Sequence, residues 1–255
     1  MSARRRQILE RVARGELTPE EADELLRRAE LEPAEPPEGI GRVKVSAEFG
    51  AVVVTADPSV TQVEVDGPHR ISVDGDTLVV RSNVDYLDEV GQGFSIHLGG
   101  RRRARIKGAA GLNALKLRVR MNPSLPLEVK LDAGSLYVSG VRAPIRARLG
   151  AGPMTIEDFS GTIDLAVNAG AVRATGTITG GESRIRNDAG AVRVELDPAS
   201  SVRIIGEAAL GKVVLPSEEE SVRRRFGSSR TATVGDGAGT LRVETGMGSI
   251  NVSVS

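Results

Sequence analysis

The feature that most constrains the fold is a repeated motif in which a small residue and a glycine precede alternating apolar and polar residues. The glycines of the four clearest copies lie 18, 18 and 20 residues apart. A fixed period of roughly twenty residues with strand-like alternation is typical of stacked coils. The sequence therefore predicts an all-β fold, a β-solenoid with β-helix-like stacked coils of about 18–21 residues. The copies are Asp-Ala-Gly-Ser-Leu-Tyr-Val from Asp132, Gly-Ala-Gly-Pro-Met-Thr-Ile from Gly150, Asn-Ala-Gly-Ala-Val-Arg-Ala from Asn168 and Asp-Ala-Gly-Ala-Val-Arg-Val from Asp188, with looser copies at Gly211 and Gly248.

The composition narrows the class of protein. Aromatic residues make up 2% of the chain, which suits a thin core filled by aliphatic side chains. The absence of cysteine excludes disulfides and thiolate chemistry and is compatible with a reducing compartment. Lys+Arg and Asp+Glu both number 34, so no bulk attraction to nucleic acid is expected. Without a signal-like start or an apolar run of about 20 residues, we expect a cytoplasmic protein with no transmembrane segment.

Residues 1–30 have the pattern of a small α-helical hairpin. Thr18 is a candidate N-cap for the second helix, followed by Pro19 and by Glu21 in a capping box. A hairpin of this size cannot bury a stable core alone, so we expect its apolar stripe to mediate oligomerisation. A proline-rich linker over residues 31–41 separates it from the β domain. The stripe comprises Ile8, Leu9, Val12, Leu17, Leu25 and Leu26.

The β domain is predicted over residues 42–255, with irregular insertions near 82–112 and 216–239. Registering the repeats on their glycines predicts which side chains stack. The second residue after each glycine should point inward, and on the preceding strands Ile163 and Leu165 should point inward with Asp164 outward. The repeated glycines themselves should lie at corners with left-handed backbone angles or a close approach between coils.

Registration also places four charged residues in one outward column of alternating sign: Glu128, Arg146, Asp164 and Arg184. One interpretation is a solvated salt-bridge ladder that fixes the register. The other is an anion-binding face for a polymer, formed by Arg146, Arg148, Arg173, Arg184, Arg186 and Arg193.

No motif of a known enzyme class is present. The sequence lacks G-x-S-x-G, Walker A and G-x-G-x-x-G motifs, and His69 and His97 lack metal-ligand spacing. The adjacent Glu157 and Asp158 should point to different faces. We therefore expect no catalytic residues, no metal and no cofactor. The basic run 101–107 could bind phosphate or a membrane surface, but a solvated loop is the simpler interpretation, and the acidic start of the second helix argues against DNA binding.

Three segments carry a resemblance to a known family. Residues 118–136, from Arg-Val-Arg-Met-Asn-Pro to Asp-Ala-Gly-Ser-Leu, resemble the bacterial putative-adhesin β-strand-repeat family (domain of unknown function 4097). The tail 239–250, Gly-Thr-Leu-Arg-Val-Glu-Thr-Gly-Met-Gly-Ser-Ile, is similar to the same pattern, and residues 8–22 resemble the short oligomerisation-type helical hairpin that often precedes such domains. The resemblance implies a β-solenoid and, for some relatives, a link to cell-envelope stress. It supplies no catalytic residues.

These observations predict a non-enzymatic scaffold or interaction protein. Its expected partner is a second copy of itself, giving a homo-oligomer through the hairpin or the solenoid ends, or another protein, and not nucleic acid. The alternative is a carbohydrate-active β-helix enzyme or a polysaccharide-binding module, because parallel β-helices often host such functions.

Overall fold

The computed structural model describes most of the chain as β-strands. It covers residues 39–61, 63–82, 116–216 and 227–255, the backbone of three further strands, and the isolated residues Arg14 and Thr18. No helix occurs in these residues, and the predicted hairpin and most of the linker lie outside them. The strands are β1 (Arg42–Ala56), β2 (Val63–Asp66), β3 (His69–Asp74), β4 (Thr77–Ser82), β5 (Phe94–Leu98), β6 (Arg102–Ile106), β7 (Lys116–Met121), β8 (Leu127–Ser139), β9 (Ile145–Ala151), β10 (Met154–Ser160), β11 (Ile163–Ala169), β12 (Val172–Thr177), β13 (Gly181–Ala189), β14 (Val192–Leu196), β15 (Val202–Val214), β16 (Glu220–Arg223), β17 (Ser228–Val234) and β18 (Gly239–Val254).

Successive repeats pair in parallel and in register. Before the glycine, β9 pairs with β11 and β11 with β13, so that Ile145 aligns with Ile163. After the glycine, β10 pairs with β12 and β12 with β14, so that Val172 aligns with Val192. The glycine spacing thus correctly predicts which residues become neighbours.

Two long strands close these pairings into a ring. β8 pairs with β9 through residues 127–133 and with β10 through residues 136–139. β18 pairs with β13 through residues 239–247 and with β14 through residues 250–254. The order β8-β9-β11-β13-β18-β14-β12-β10 therefore returns to β8, a closed eight-strand parallel β-barrel with extra strands. The prediction of a β-solenoid is wrong, because β8 and β18 each continue through their glycine corner and pair on both sides of it, which closes the sheet into a barrel.

The extra strands attach to the two long strands of the ring. β1 pairs with β8 and in turn with β4 and β7, while β15 pairs with β18 and β17. Both insertions contain antiparallel strands: β5 pairs with β6, and β16 with β17. The described part of each insertion therefore includes an antiparallel strand pair.

One continuous hydrophobic core fills the interior. Ile163 and Leu165 are 1% and 0% exposed, and the predicted inward residues after each glycine are equally buried. Asp164, between them, is partly exposed and points outward. The predicted inward and outward faces are confirmed, because alternate side chains of a strand lie on opposite sides of the sheet.

The corners between strands are stacked glycines with little room for a side chain. Gly170 has φ +152°, and a Cβ placed there would lie 1.9 Å from the carbonyl oxygen of Gly152. The predicted reason for the repeated glycine, a corner with positive φ and close backbone approach, is confirmed. Asn187 buttresses this corner from within the core: its Nδ2 donates to the carbonyl of Gly170 at 3.1 Å.

Candidate functional site

The alternating charge column predicted from the repeats exists. Strand register aligns Glu128 with Arg146, Arg146 with Asp164, and Asp164 with Arg184. Arg146 Nε donates to Asp164 Oδ2 at 3.1 Å. We call the outward side chains of β9, β11, β13 and the pre-glycine halves of β8 and β18 the ladder face.

The ladder continues from both ends of the predicted column, in register to Lys44 on β1 and diagonally to Glu244 on β18, which aligns with Arg186. Lys44 Nζ lies 2.9 Å from Glu128 Oε1, and Arg184 Nη2 donates to Glu244 Oε2 at 2.8 Å. The partner of Arg184 therefore comes from β18, 60 residues further along the chain. Sequence reasoning missed this residue, although Glu244 precedes Gly248 by four positions just as Arg186 precedes Gly190.

Glu244 is the acid with the most cationic neighbours in this region. Partial burial disfavours its charged form, but the hydrogen bonds and charges of Arg184 and then Arg186 outweigh burial and lower the pKa of Glu244. The hydrogen bond from Arg184 to Glu244 correspondingly raises the pKa of Arg184. The group is a fixed negative charge at neutral pH.

A second outward column on the ladder face is predominantly cationic. Lys130, Arg148, Ala166 and Arg186 align on successive strands. Arg148 Nη2 comes no closer than 3.9 Å to Asp164 Oδ2, while Arg186 Nε lies 3.4 Å from Glu244 Oε2. Four of the six arginines of the predicted anion-binding face thus share the ladder face: Arg146, Arg148, Arg184 and Arg186.

The other two arginines lie beyond the glycine corner. Arg173 and Arg193 are aligned on β12 and β14, among the outward side chains that we call the second face. The predicted set of six does not form one face, since the corner at Gly170 separates the strands before it from those after it. Arg173 Nη2 donates to Glu195 Oε1 at 3.1 Å, whereas Arg193 makes no ion pair with the described residues.

An open hollow of about 390 Å³ lies on the second face beside Arg193. Strands β12, β14, β18 and β15 form it, and Lys212, Ser249 and Asn251 reach its surface. Among the described residues, no carboxylate lines the hollow. Its polar groups are cations and neutral hydrogen-bonding side chains.

The remaining notable polar groups have structural partners. Tyr137 donates to Glu157 Oε2 at 2.7 Å, and this hydrogen bond raises the pKa of Tyr137. Asp158, with φ +49°, pairs with Arg142 at 2.9 Å, so the two adjacent acids have different partners.

Near the chain's first strands, hydrogen bonds from Ser59 and Arg120 lower the pKa of Asp57 to about 2. His69 Nδ1 lies 2.6 Å from the carbonyl oxygen of Gly67, a contact within one tight turn.

Several predicted sites lie partly or wholly outside the residues that the structure describes. The hairpin stripe Ile8, Leu9, Val12, Leu17, Leu25 and Leu26 lies outside the described residues. Of the basic run 101–107, residues 102–106 form β6. Among the described residues, no three His, Cys, Asp or Glu side chains group as metal ligands would. Across the same residues, no helical segment has the length and apolar character that a membrane crossing requires.

Comparisons with known proteins give distant structural similarity. No family model and no curated protein match the chain. Similar solved structures include a "putative cell adhesion protein" from Clostridium sporogenes, with 15% identity and a TM-score of 0.43, covering 88% of this chain and 97% of that one. A "putative adhesin" from Bacteroides fragilis has 11% identity and a TM-score of 0.24, covering 84% of this chain and 94% of that one. Similarity at this level assigns no function.

Proposed function

We propose that this protein is a non-enzymatic interaction protein whose barrel presents a rigid array of fixed charges. The observation that carries the proposal is the ladder, in which acids and arginines on adjacent strands pair across an in-register parallel sheet. Strand spacing of about 4.8 Å repeats these charges at regular intervals. An array of this kind suits recognition of an extended partner more than chemistry on a small substrate.

The electrostatics support binding rather than catalysis. A general acid or base works best with a pKa near the working pH. The acids with a displaced pKa are instead held further toward the charged form, Glu244 by its arginine partners and Asp57 by hydrogen bonds from Ser59 and then Arg120. Asp164 likewise forms an ion pair with Arg146. These carboxylates therefore stay charged at neutral pH and are poorly suited to proton transfer.

Self-association through the N-terminal hairpin is part of this proposal. It rests on the sequence of residues 1–30 and their apolar stripe, followed by the linker 31–41 and the β domain from residue 42. The ends of the strand order support the hairpin over end-to-end stacking, because short antiparallel strands border the parallel ones. Such short, charged edge strands resist pairing with another chain. A role in cell-envelope stress rests on the family resemblance.

A paired measurement separates this function from the enzyme alternative. The purified protein is immobilised, exposed to a cell-envelope extract and washed, and both the retained material and the flow-through polysaccharide are analysed. We expect saturable retention of a component without new reducing ends or unsaturated sugars in the polysaccharide. An unrelated immobilised protein of equal size and net charge is the control. Turnover of the polysaccharide, or retention no greater than by the control, would contradict the proposal.

A further inference from the structure

We infer that the hollow on the second face binds a segment of acidic polysaccharide. The first observation is its charge. Arg193 and Lys212 are exposed and make no ion pair or hydrogen bond with any side chain that the structure describes. Arg173, also in the lining, is engaged by Glu195 outside the hollow. Two cations are therefore left without a partner among the described residues, none of whose carboxylates lines the hollow.

Other hollows on the described surface differ in this respect. A hollow of about 320 Å³ on the ladder face contains Arg146, but also its partner Asp164. A hollow of about 410 Å³ near β2 contains Arg120 with its partner Glu64 at 2.6 Å. In both hollows, the named arginine is paired with a carboxylate that lines the same hollow. The hollow beside Arg193 is the one of these three that leaves charge for a ligand.

The arrangement of polar groups defines what could fill the hollow. Asn251 aligns with Arg193 on one side and Ser249 aligns with Lys212 on the other, so β18 places two neutral groups between the two cations. Arg193 and Lys212 are two strands apart, about 10 Å across the sheet, and are offset by two residues along it. A ligand that reaches both needs negative charge spread over this span and hydroxyl groups in between. A uronate-containing glycan has both.

Backbone pairing argues against an acidic peptide as the occupant. An extended peptide binds most readily by adding a strand to an open sheet edge. Here β14 and β15 flank β18 and pair with it on both sides, so β18 has no free backbone edge. Recognition must use side chains, and the hydroxyl of Ser249 and the amide of Asn251 can each donate and accept hydrogen bonds, as sugar hydroxyls do. The small side chains of Ala171 and Ala191 also line the hollow and leave room for a ligand beside these polar groups.

The test measures binding of an oligogalacturonate to the full chain at low and moderate salt. This inference rests on the proposed function, so the length of the recovered oligosaccharide is measured in the same samples. We expect binding of the oligogalacturonate, no binding of a neutral maltooligosaccharide, and an unchanged chain length. The double variant Arg193→Ala/Lys212→Ala should lose at least about tenfold in affinity, as expected when charged hydrogen-bond donors are removed.

Matched variants assign the effect to the hollow. Lys130→Ala/Arg148→Ala removes the same charge from the ladder face and should change affinity less than about twofold, with both doubles unfolding at similar temperatures. Ser249→Ala/Asn251→Ala should weaken oligogalacturonate binding but leave any residual binding of oligoglutamate unchanged. No binding by the wild type, equal losses in the two charge doubles, or tighter binding of oligoglutamate would overturn the inference. Shortening of the oligosaccharide would instead overturn the non-enzymatic function.

Discussion

Substituting alanine for glycine at four positions separates the cost of backbone strain from the cost of steric overlap at the glycine corners. At Gly170 a Cβ would meet both problems, a positive φ of +152° and a carbonyl oxygen at 1.9 Å. Gly75 has φ +61° but no atom within 4 Å of the added Cβ. Gly150 has no positive φ, but its Cβ would lie 2.3 Å from the carbonyl oxygen of Asp132. Gly180 has neither problem.

The four Gly→Ala variants should therefore differ in a defined order. At Gly180 the change should be neutral or stabilising by up to about 1 kcal/mol, through lower entropy of the unfolded chain. At Gly75 the left-handed backbone should cost about 1–2 kcal/mol. At Gly150 the overlap should cost about 1–3 kcal/mol as neighbouring strands separate. At Gly170 both costs combine to about 2–5 kcal/mol, a large part of the stability of a typical domain.

Urea denaturation followed by circular dichroism measures all four free energies of unfolding. Ala171→Val is an additional control, because Ala171 is exposed next to the same corner and should tolerate the larger side chain. The reasoning fails if Gly170→Ala costs no more than Gly75→Ala, or if Ala171→Val costs as much as Gly170→Ala. Either outcome would show that the corner relaxes around a Cβ.

Three further predictions address the register, the ladder and assembly. Ile163→Ala should cost about 2–5 kcal/mol by opening a cavity, while Asp164→Ala should cost less than about 1 kcal/mol because its ion pair is exposed; equal losses in denaturant would contradict the register. Because the pKa of Glu244 is lower in the folded protein than in the unfolded chain, its stabilisation is present above about pH 4.3 and is lost as pH falls through the folded pKa. Denaturation across acidic pH should thus show the difference between wild type and Glu244→Gln shrinking toward low pH, and a constant difference would refute this. Light scattering at micromolar concentration should find a dimer or larger species that Leu9→Glu/Leu25→Glu reduces while the β-sheet spectrum persists; an unchanged oligomer would place the contact elsewhere.

The sequence was sufficient to predict local register because one glycine per repeat marks the same corner each time. From that mark, the inward Ile163, the outward Asp164 and the pairing of Arg146 with Asp164 all follow by strand alternation. The repeated glycine could also have identified Glu244, which precedes Gly248 by four residues as Arg186 precedes Gly190. These features depend on sequence neighbours or on a shared offset, and both can be read from one chain.

Ring closure could not be predicted in this way. It requires β8 and β18 to continue through their corners and pair on both sides, yet their glycines look like those of the shorter repeats. The order of the strands in the sheet could not be predicted from the sequence either. β15 follows β14 in the chain, but β18 takes the position beside β13 and β14. Gly211 and Gly248 head similar motifs, so local pattern does not decide which strand lies there.

The position of β18 makes the two charged surfaces depend on one strand. Its pre-glycine half supplies Glu244 to the ladder face, and its post-glycine half supplies Ser249 and Asn251 to the hollow. The same strand also completes the ring between β13 and β14. Lys212 reaches the hollow only because β15 pairs with β18 rather than with an earlier repeat. A chain in which β18 is unpaired would therefore lose the last acid of the ladder and both neutral groups of the hollow together, which ties formation of the proposed glycan site to closure of the barrel.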